Sequence, residues 1–273
     1  MNELRKKIFL AAYSGGIGHL ASAFSLVEIL HTLYIDGVMK HDPQNQKWGE
    51  RDILILSKGH GSLALYTVLA KAGYFDEKEL WTFVQPGTIL GGEPNTLECP
   101  GVEASTGSLG HGLSIGLGMA LALKSDDKPN RVYVVLGDGE CQEGTVWEAV
   151  MACSAFKLDN LTVIIDNNRI QKMDFIDKIM GSENLAAQFN LFGWNVKVCD
   201  GHDRVALKQA LISDWQTGKP RCLIAQTVKG KGVSLMEDNP AWHWRMPGRK
   251  ELKTFLAELN ITQDELNAVK GVL

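Results

Sequence analysis

The stretch that decides the fold is residues 131–171, RVYVVLGDGECQEGTVWEAVMACSAFKLDNLTVIIDNNRIQ. Two apolar, β-branched runs, Val132–Leu136 and Leu161–Asp166, flank an amphipathic segment and so predict a strand, a helix and a second strand. In such a βαβ unit the strands are parallel, and their carboxyl ends meet at one edge of the sheet. The Gly-Asp-Gly and Asn-Asn sequences that follow the two strands are therefore predicted to lie together.

The rest of the chain continues this alternation of helix and strand. Further buried strands are predicted at Ile53–Leu56, Trp194–Cys199 and Cys222–Thr227. Helical periodicity predicts amphipathic helices at 2–13, 23–35, 61–73, 110–124, 143–157 and 203–216. Strands separated by single helices indicate an α/β fold with a doubly wound, mainly parallel sheet and helices on both faces.

No internal repeat or linker interrupts this pattern, so we expect one domain over residues 1–273 with a helical tail from about residue 250. Thr262 and Glu265 fit a capping box at the start of the last helix, TQDELNAVKGVL. Residues 229–250 have no period and many turn residues. A loop of that length in a compact domain is expected to have a function.

Composition narrows the class of protein. The chain has 273 residues, 45% of them hydrophobic, and 28 basic against 32 acidic side chains give a net charge of −4. Roughly 73% of the unfolded chain's surface is expected to be buried on folding. The acidic balance disfavours nucleic acid as a ligand, and no apolar run approaches a membrane span. Five cysteines without a C-x-x-C spacing predict reduced thiols. We therefore expect a soluble cytoplasmic protein with no nucleic-acid or membrane partner.

Asp138 and Asn168 are the candidate metal ligands. If the two strands of the βαβ unit are neighbours, about 4.8 Å apart, the two side chains can reach one point. Carboxylate and amide oxygens suit Mg²⁺ or Ca²⁺ and not zinc. The Gly-Asp-Gly and Asn-Asn motifs are each typical of an ordinary turn. Because one βαβ crossover joins them, together they favour a site in which a bound metal ion holds a diphosphate group. The glycines on either side of Asp138 let backbone approach the phosphates closely.

This Gly-Asp-Gly and Asn-Asn spacing resembles the thiamine diphosphate-binding motif of the transketolase superfamily. Four further segments resemble transketolase segments in the same order: GHLASAFSLVEIL around His19, RDILILSKGHGSLALY around His60, PGVEASTGSLGHGLSIGLGMALA from Pro100, and KGKGVSLMEDNPAWHW ending near His243. The resemblance extends to about residue 250 but matches only the N-terminal, diphosphate-binding third of a full-length transketolase. It implies the diphosphate-binding (PP-type) subunit of a split transketolase.

The resemblance also implies the site residues. Magnesium, with Ca²⁺ or Mn²⁺ as substitutes, would be held by Asp138, Asn168 and the carbonyl of Ile170. His19, His60 and His243 would be catalytic, because imidazole exchanges protons near neutral pH. The implied cofactor-binding residues are His60, Gly107, Leu109, Gly137, Asp138, Gly139, Glu140, Asn168, Ile170 and His243.

The implied activity needs a second chain. The enzyme would be a transferase of the EC 2.2.1 class that moves a two-carbon ketol unit from a ketose phosphate to an aldose. The activating glutamate of the family lies in the pyrimidine-binding domain, and no part of this chain resembles that domain. The expected partner is a C-terminal transketolase subunit in an α₂β₂ assembly. Glu143 and Glu148 lie at the start of a predicted helix, where their negative charge interacts favourably with the helix dipole. In the family, the matching glutamates belong to a network of carboxylates and water that connects paired active sites.

Some positions depart from the family pattern. Glu93, in Gly-Glu-Pro, stands where transketolases usually carry a histidine near the first hydroxyl of the substrate, so the donor sugar stays open. The segment QKMDF follows Ile170 where family members usually carry a glycine, and either Lys172 or Met173 would meet the thiazolium face of the cofactor. His111 stands where transketolases often carry a glutamine. His202, in Asp-Gly-His-Asp-Arg, receives no chemical role.

Three alternatives within thiamine diphosphate enzymes remain. They are the α subunit of a 2-oxoacid dehydrogenase component, a 1-deoxyxylulose-phosphate-synthase-like enzyme and a branched-sugar ligase. A non-catalytic assembly subunit is the alternative from another class. The order of the matching segments favours transketolase.

Overall fold

The computed structural model describes residues 1–180 and 184–270. Its sheet has the strands β1 Ile53–Leu56, β2 Val132–Gly137, β3 Leu161–Asn167, β4 Asn195–Asp200 and β5 Arg221–Gln226. They are ordered β1-β2-β3-β5-β4, and each neighbouring pair is parallel. The predicted βαβ unit is confirmed, because β2 pairs directly with β3 and the register ends at Gly137 opposite Asp166.

The helices are α1 Asn2–Gly15, α2 Leu20–Phe24, α3 Val27–Tyr34, α4 Ser62–Ala72, α5 His111–Ser125, α6 Gly144–Ala155, α7 Ile176–Ile179, α8 Leu185–Leu191, α9 Arg204–Ile212, α10 Arg249–Glu258 and α11 Gln263–Lys270. The predicted helix over 23–35 is wrong at its start, because the chain breaks between α2 and α3. Ser25 lies at this break, and its hydroxyl donates to the buried carboxylate of Asp166. The sequence pattern also missed α7 and α8.

The C-terminal tail follows the predicted capping box. The Glu265 N–H donates to the Thr262 hydroxyl at 3.2 Å, and the Thr262 N–H donates to the Glu265 carboxylate at 2.9 Å. The predicted last helix includes residues 271–273, which lie outside the described residues. In the ranges that are described, no helix combines the length and the apolar character that crossing a membrane requires.

Both faces of the sheet are covered, which confirms the predicted doubly wound architecture. Along β2, Tyr133 and Val135 point into the core beneath α1–α4 and α9–α11. Val132, Val134 and Leu136 point into the core beneath α5, α6 and α8. All these strand residues are buried, so β2 is one unbroken apolar run, as expected of a central parallel strand.

Two glycines on α5 differ in what surrounds them. A Cβ on Gly116 would lie 2.5 Å from the Val134 Cγ2 atom, whereas a Cβ on Gly118 would meet nothing within 4 Å. Gly116 is thus what lets α5 pack directly on β2. Gly118 lies on an exposed face of the helix.

These surroundings predict opposite effects of the same substitution. Gly116→Ala should lower the free energy of unfolding by about 1–2 kcal/mol, because the added methyl overlaps a rigid strand side chain. Gly118→Ala should raise it by up to about 1 kcal/mol, since alanine is the better helix former. Urea unfolding followed by circular dichroism measures both, and equal effects would contradict the packing described here.

Candidate active site

A cleft of about 330 Å³ lies at the edge of the sheet where β1, β2 and β3 end. It brings together every residue predicted to be catalytic or to bind cofactor. Its lining includes His19, His60, Gly107, Leu109, Gly137, Asp138, Gly139, Glu140, Asn168, Ile170 and His243. Glu143 also lines the cleft. Glu148, one turn further along α6, is exposed and does not line the cleft.

Asp138 and Asn168 meet at the tips of β2 and β3, as predicted. Asp138 Oδ1 accepts a hydrogen bond from the Gly139 N–H at 2.8 Å, and its Oδ2 accepts one from the Arg169 N–H. Asn168 Oδ1 accepts from the Ile170 N–H at 3.1 Å. Burial, and then the nearby carboxylate of Asp166, raise the pKa of Asp138 to about 7. A carboxylate held in this way favours a bound cation, which would stabilise its charged form.

The donor set fits a hard divalent cation. The Ile170 carbonyl oxygen already accepts a hydrogen bond from the Lys229 ammonium at 2.9 Å, so it is presented towards positive charge. In the described part of the chain, no three His, Cys, Asp or Glu side chains converge as a metal-binding group. Besides the Asp138 carboxylate, the oxygens at this edge are those of the Asn168 amide and the Ile170 carbonyl, and all three are ligand types that suit Mg²⁺ and Ca²⁺. A Cβ on Gly139 would lie 2.7 Å from Gln171 Cγ, so a side chain at this position would have to displace Gln171.

Lys58 forms a buried ion pair with Asp166 beneath the cleft. The Lys58 side chain is 2% exposed and that of Asp166 is fully buried. Asp166 also accepts hydrogen bonds from the hydroxyls of Ser25 and Thr227. Burial alone would raise the pKa of Asp166, but the Lys58 ammonium and these donors hold it below its usual value. The carboxylate is therefore charged and fully partnered.

Lys229 is a second buried cation beside the cleft. Its ammonium lies 2.9 Å from the Ile170 carbonyl oxygen and 3.1 Å from His243 Nδ1. Burial and the neighbouring Lys58 lower the pKa of Lys229 to about 8. Two buried ammonium groups at a polar cleft favour an anionic ligand that carries several oxygens. Sequence reasoning missed both lysines, although one directly precedes the Gly-His-Gly around His60 and the other opens the aperiodic 229–250 loop.

The three predicted catalytic histidines form one cluster. Their ring centroids are 5.3 Å apart for His19 and His60, 5.3 Å for His19 and His243, and 5.7 Å for His60 and His243. Trp244 stacks on His19 with centroids 5.9 Å apart. Burial, and then Lys229, lower the pKa of His19 to about 4 and that of His243 to about 3. Burial, and then Lys58, hold the pKa of His60 well below its usual value. All three rings are neutral at physiological pH and can each donate and accept one hydrogen bond.

Glu140 holds the glycine loops of the site. Its Oε1 accepts hydrogen bonds from the Ser57 hydroxyl and from the Gly110 N–H, the latter at 2.8 Å. Its Oε2 accepts from the Gly137 N–H at 2.9 Å. Both carboxylate oxygens are thus bonded to the protein itself. They tie the end of β2 to the loop before α5, which carries Gly107.

The positions that depart from the family pattern are also placed. Lys172 lines the cleft, whereas Met173 is 80% exposed and lies outside the lining. His111 is exposed at the start of α5, and its Nδ1 lies 3.2 Å from the Leu109 carbonyl oxygen. Glu93 lies in a smaller adjoining chamber that shares His19 and His60 with the cleft.

His202 has a positioning role that the sequence did not reveal. Its Nε2 accepts a hydrogen bond from the Val228 N–H at 2.8 Å, so the proton of the neutral ring is on Nδ1. That Nδ1 lies 2.9 Å from Glu28 Oε2, and Arg5 binds both oxygens of the same carboxylate at 2.7 and 2.8 Å. Through His202, this network holds Val228, the residue directly before Lys229, to the buried helices α1 and α3.

Comparison with known proteins identifies the family. Residues 8–267 match the family described as transketolase, thiamine diphosphate binding domain. The chain belongs to the transketolase family. One of the subunits of apulose-4-phosphate transketolase from Actinobacillus succinogenes is 41% identical over 255 residues, which cover 93% of this chain and 92% of that protein. The 6-deoxy-6-sulfo-D-fructose transketolase subunit SqwG of Clostridium sp. (strain MSTE9) is 39% identical and covers 94% of each chain.

Full-length transketolases are similar to this chain over only part of their own length. Human transketolase is 37% identical over 243 residues, which cover 89% of this chain and 38% of that protein. The structure of transketolase from Leishmania mexicana superimposes with a TM-score of 0.87 at 26% identity and covers 99% of this chain and 43% of that one. The predictions of a transketolase-type family and an α/β fold are thereby confirmed.

The buried ion pair leads to a prediction about stability. Lys58→Met should lower the free energy of unfolding by about 3–5 kcal/mol, because it leaves the Asp166 carboxylate buried without its cation. Lys124 forms a matched exposed pair with Asp159 at 2.8 Å. Lys124→Met should cost no more than about 1 kcal/mol. Urea unfolding of both variants measures the difference, and similar losses would refute the burial argument.

Proposed function

We propose that this chain is the diphosphate-binding subunit of a two-chain transketolase. The enzyme would transfer a two-carbon ketol unit from a ketose phosphate donor to an aldose acceptor with magnesium and thiamine diphosphate. The observation that carries the proposal is the single cleft in which Asp138 and Asn168 meet the buried lysines and the three histidines. Two relatives of nearly the same length, each named as a transketolase subunit, support the two-chain arrangement.

The cofactor end of the cleft would be built from the two strand tips. Asp138, Asn168 and the Ile170 carbonyl would hold Mg²⁺, with Ca²⁺ or Mn²⁺ able to replace it. The Lys229 ammonium, which now contacts that carbonyl, would turn to the diphosphate. Gly139 lines the cleft without a side chain, so its backbone would let the phosphate oxygens approach closely.

The histidines would act on the reacting groups. Thiamine diphosphate, when bound, would supply the nucleophilic carbon for cleavage of the ketose. His19, His60 and His243 are neutral rings close to one another, so each can donate one hydrogen bond to a substrate hydroxyl and accept one from it. A bound diphosphate would offset the charge of Lys229 and raise the pKa values of His19 and His243, and imidazole can take up and return protons when its pKa lies nearer neutrality. Gly107 and Leu109 in the loop before α5, together with Gly137 at the end of β2, would line the remaining wall around the cofactor.

The partner would supply the other half of the active site. We propose a C-terminal transketolase subunit with pyrimidine-binding and C-terminal domains, in an α₂β₂ assembly. Glu143 and Glu148 are exposed near the start of α6, where they are available to a network between active sites. Met151 and Phe156, half exposed on the same helix and just after it, add exposed apolar surface that supports an interface around α6.

We further propose that the chain is a single domain and works in the cytoplasm without a nucleic-acid or membrane partner. One sheet with a core on each face supports a single domain. The thiols of Cys99, Cys153, Cys199 and Cys222 are free, and this favours a reducing compartment. The net charge of −4 does not favour polyanions.

The metal site can be tested by cofactor binding. Asp138→Asn should weaken magnesium-dependent thiamine diphosphate binding to the assembled complex at least tenfold, because the cation loses its charged ligand. Asp127→Asn, on an exposed turn, makes the same change in charge away from the site and should leave affinity unchanged. Isothermal titration measures both. Equal affinities for the two variants would overturn the assignment.

The two-chain arrangement can be tested by reconstitution. The purified chain alone should show no transfer from hydroxypyruvate to an aldehyde acceptor. Addition of a pyrimidine-domain subunit should produce turnover that saturates at equal molar amounts. Turnover by the chain alone would refute the proposal.

A further inference from the structure

Lys229 enters the cleft from a segment whose backbone is held on both sides. Before it, the Val228 N–H donates to His202 Nε2 at 2.8 Å. After it, the Gly230 N–H donates to the Ala21 carbonyl of α2 at 3.0 Å. Lys229 itself is buried between these two contacts, so the place of its ammonium group depends on where the backbone is held.

The ammonium group of Lys229 is not fixed by an ion pair. Its hydrogen-bond partners in the described ranges are two carbonyl oxygens and His243 Nδ1, and none of them carries a full charge. Lys58 differs, because its ammonium is paired with the buried Asp166 carboxylate. A change in the backbone next to Lys229 is therefore expected to displace its ammonium, since charge-assisted bonds to anions are the stronger ones.

The His202 ring is oriented by the Glu28 carboxylate, whose Oε2 lies 2.9 Å from Nδ1. Burial alone would raise the pKa of Glu28, but the hydrogen bonds from His202 and Arg5 hold it below its usual value. A charged carboxylate can only accept, so the hydrogen between it and the ring belongs to Nδ1. In the neutral ring, Nε2 is then the acceptor that the Val228 N–H requires.

Glu28 is itself immobile. The side chains of Arg5 and Glu28 are 6% and 5% exposed, so water has little access to their ion pair. Arg5 also donates to the Phe24 carbonyl at the end of α2 at 3.0 Å. The acceptor nitrogen of His202 is thus presented to Val228 from a base formed by three packed helices.

We propose that His202 is a positioning residue for diphosphate binding, which holds Val228 and thereby directs the Lys229 ammonium group into the cleft. Glu28 and Arg5 keep the ring in the tautomer that accepts from Val228. The inference rests on the proposed function, because it takes the diphosphate group of the cofactor as the ligand of Lys229.

Two substitutions separate the two hydrogen bonds of His202. Glutamine places an amide oxygen near the position of Nε2 and so keeps an acceptor for the Val228 N–H, whereas asparagine reaches only the position of Nδ1 and keeps the contact with Glu28. In the complex with the partner subunit, His202→Asn should weaken magnesium-dependent thiamine diphosphate binding about tenfold, which corresponds to one lost hydrogen bond. His202→Gln should stay within about threefold of the wild type.

A double-mutant cycle with Lys229→Met tests whether the effect passes through Lys229. If it does, His202→Asn should change the affinity by less than about twofold once Lys229→Met is present, because residues of one network are not additive. His41→Asn is the control. His41 is also partly buried and bonded to a backbone group, the Tyr34 carbonyl at 2.7 Å, but it lies outside the cleft lining and should not affect affinity. Isothermal titration measures each affinity.

The outcomes separate this inference from the function on which it rests. Unchanged affinity in His202→Asn, equal losses in the asparagine and glutamine variants, or the same loss with and without Lys229→Met would overturn the role of His202 alone. A wild-type complex without affinity for thiamine diphosphate would overturn the proposed function as well. A loss in His202→Asn that glutamine restores and that disappears in the Lys229→Met background would support the inference.

Discussion

The buried carboxylate of Asp166 is the constraint on which the site depends. It accepts hydrogen bonds from Lys58 after β1, from Ser25 between α2 and α3, from Thr227 after β5, and from Asn168 at 3.2 Å. Each donor belongs to a different segment at the same edge of the sheet. A charge with no exposure must be fully partnered to persist, so these segments are fixed together and the cleft above them is formed in advance.

This arrangement also explains the electrostatics of the cleft. Asp166 neutralises Lys58, while Lys229 contacts only carbonyl oxygens and His243 among the described residues. One buried ammonium is therefore left without a carboxylate partner in that part of the chain, and it depresses the pKa values of His19 and His243 further. The same ammonium keeps these two histidines neutral, and an anionic ligand bound beside it would weaken this effect, so anion binding and histidine protonation are coupled through Lys229.

Much of the site could be predicted from the sequence because it depends on local patterns. Apolar runs define β2 and β3, and the residues that follow two adjacent parallel strands have to meet, so Asp138 and Asn168 were predictable. The ion pair between Lys58 and Asp166 could not be predicted, because a lysine side chain normally reaches solvent and Asp166 lies 108 residues away in the sequence. The break at Ser25 and the contacts of His202 likewise depend on distant residues. Glu140 was assigned to the cofactor, but only the structure shows that its carboxylate binds the protein's own backbone.

The proposed cofactor end and the proposed substrate end of the candidate active site differ in how their polar groups are satisfied. At the cofactor end, Glu140 and Asp166 are each held by several partners, so replacing one of them would disturb several segments. At the substrate end, Glu93 has an oxygen without a partner among the described residues, and its loop is held to α4 through backbone carbonyls that any residue provides. The side chain at position 93 can therefore change without loss of the cofactor site. Variation in substrate among transketolases of this architecture is expected to concentrate at such positions, where the backbone is fixed and the side chain is not.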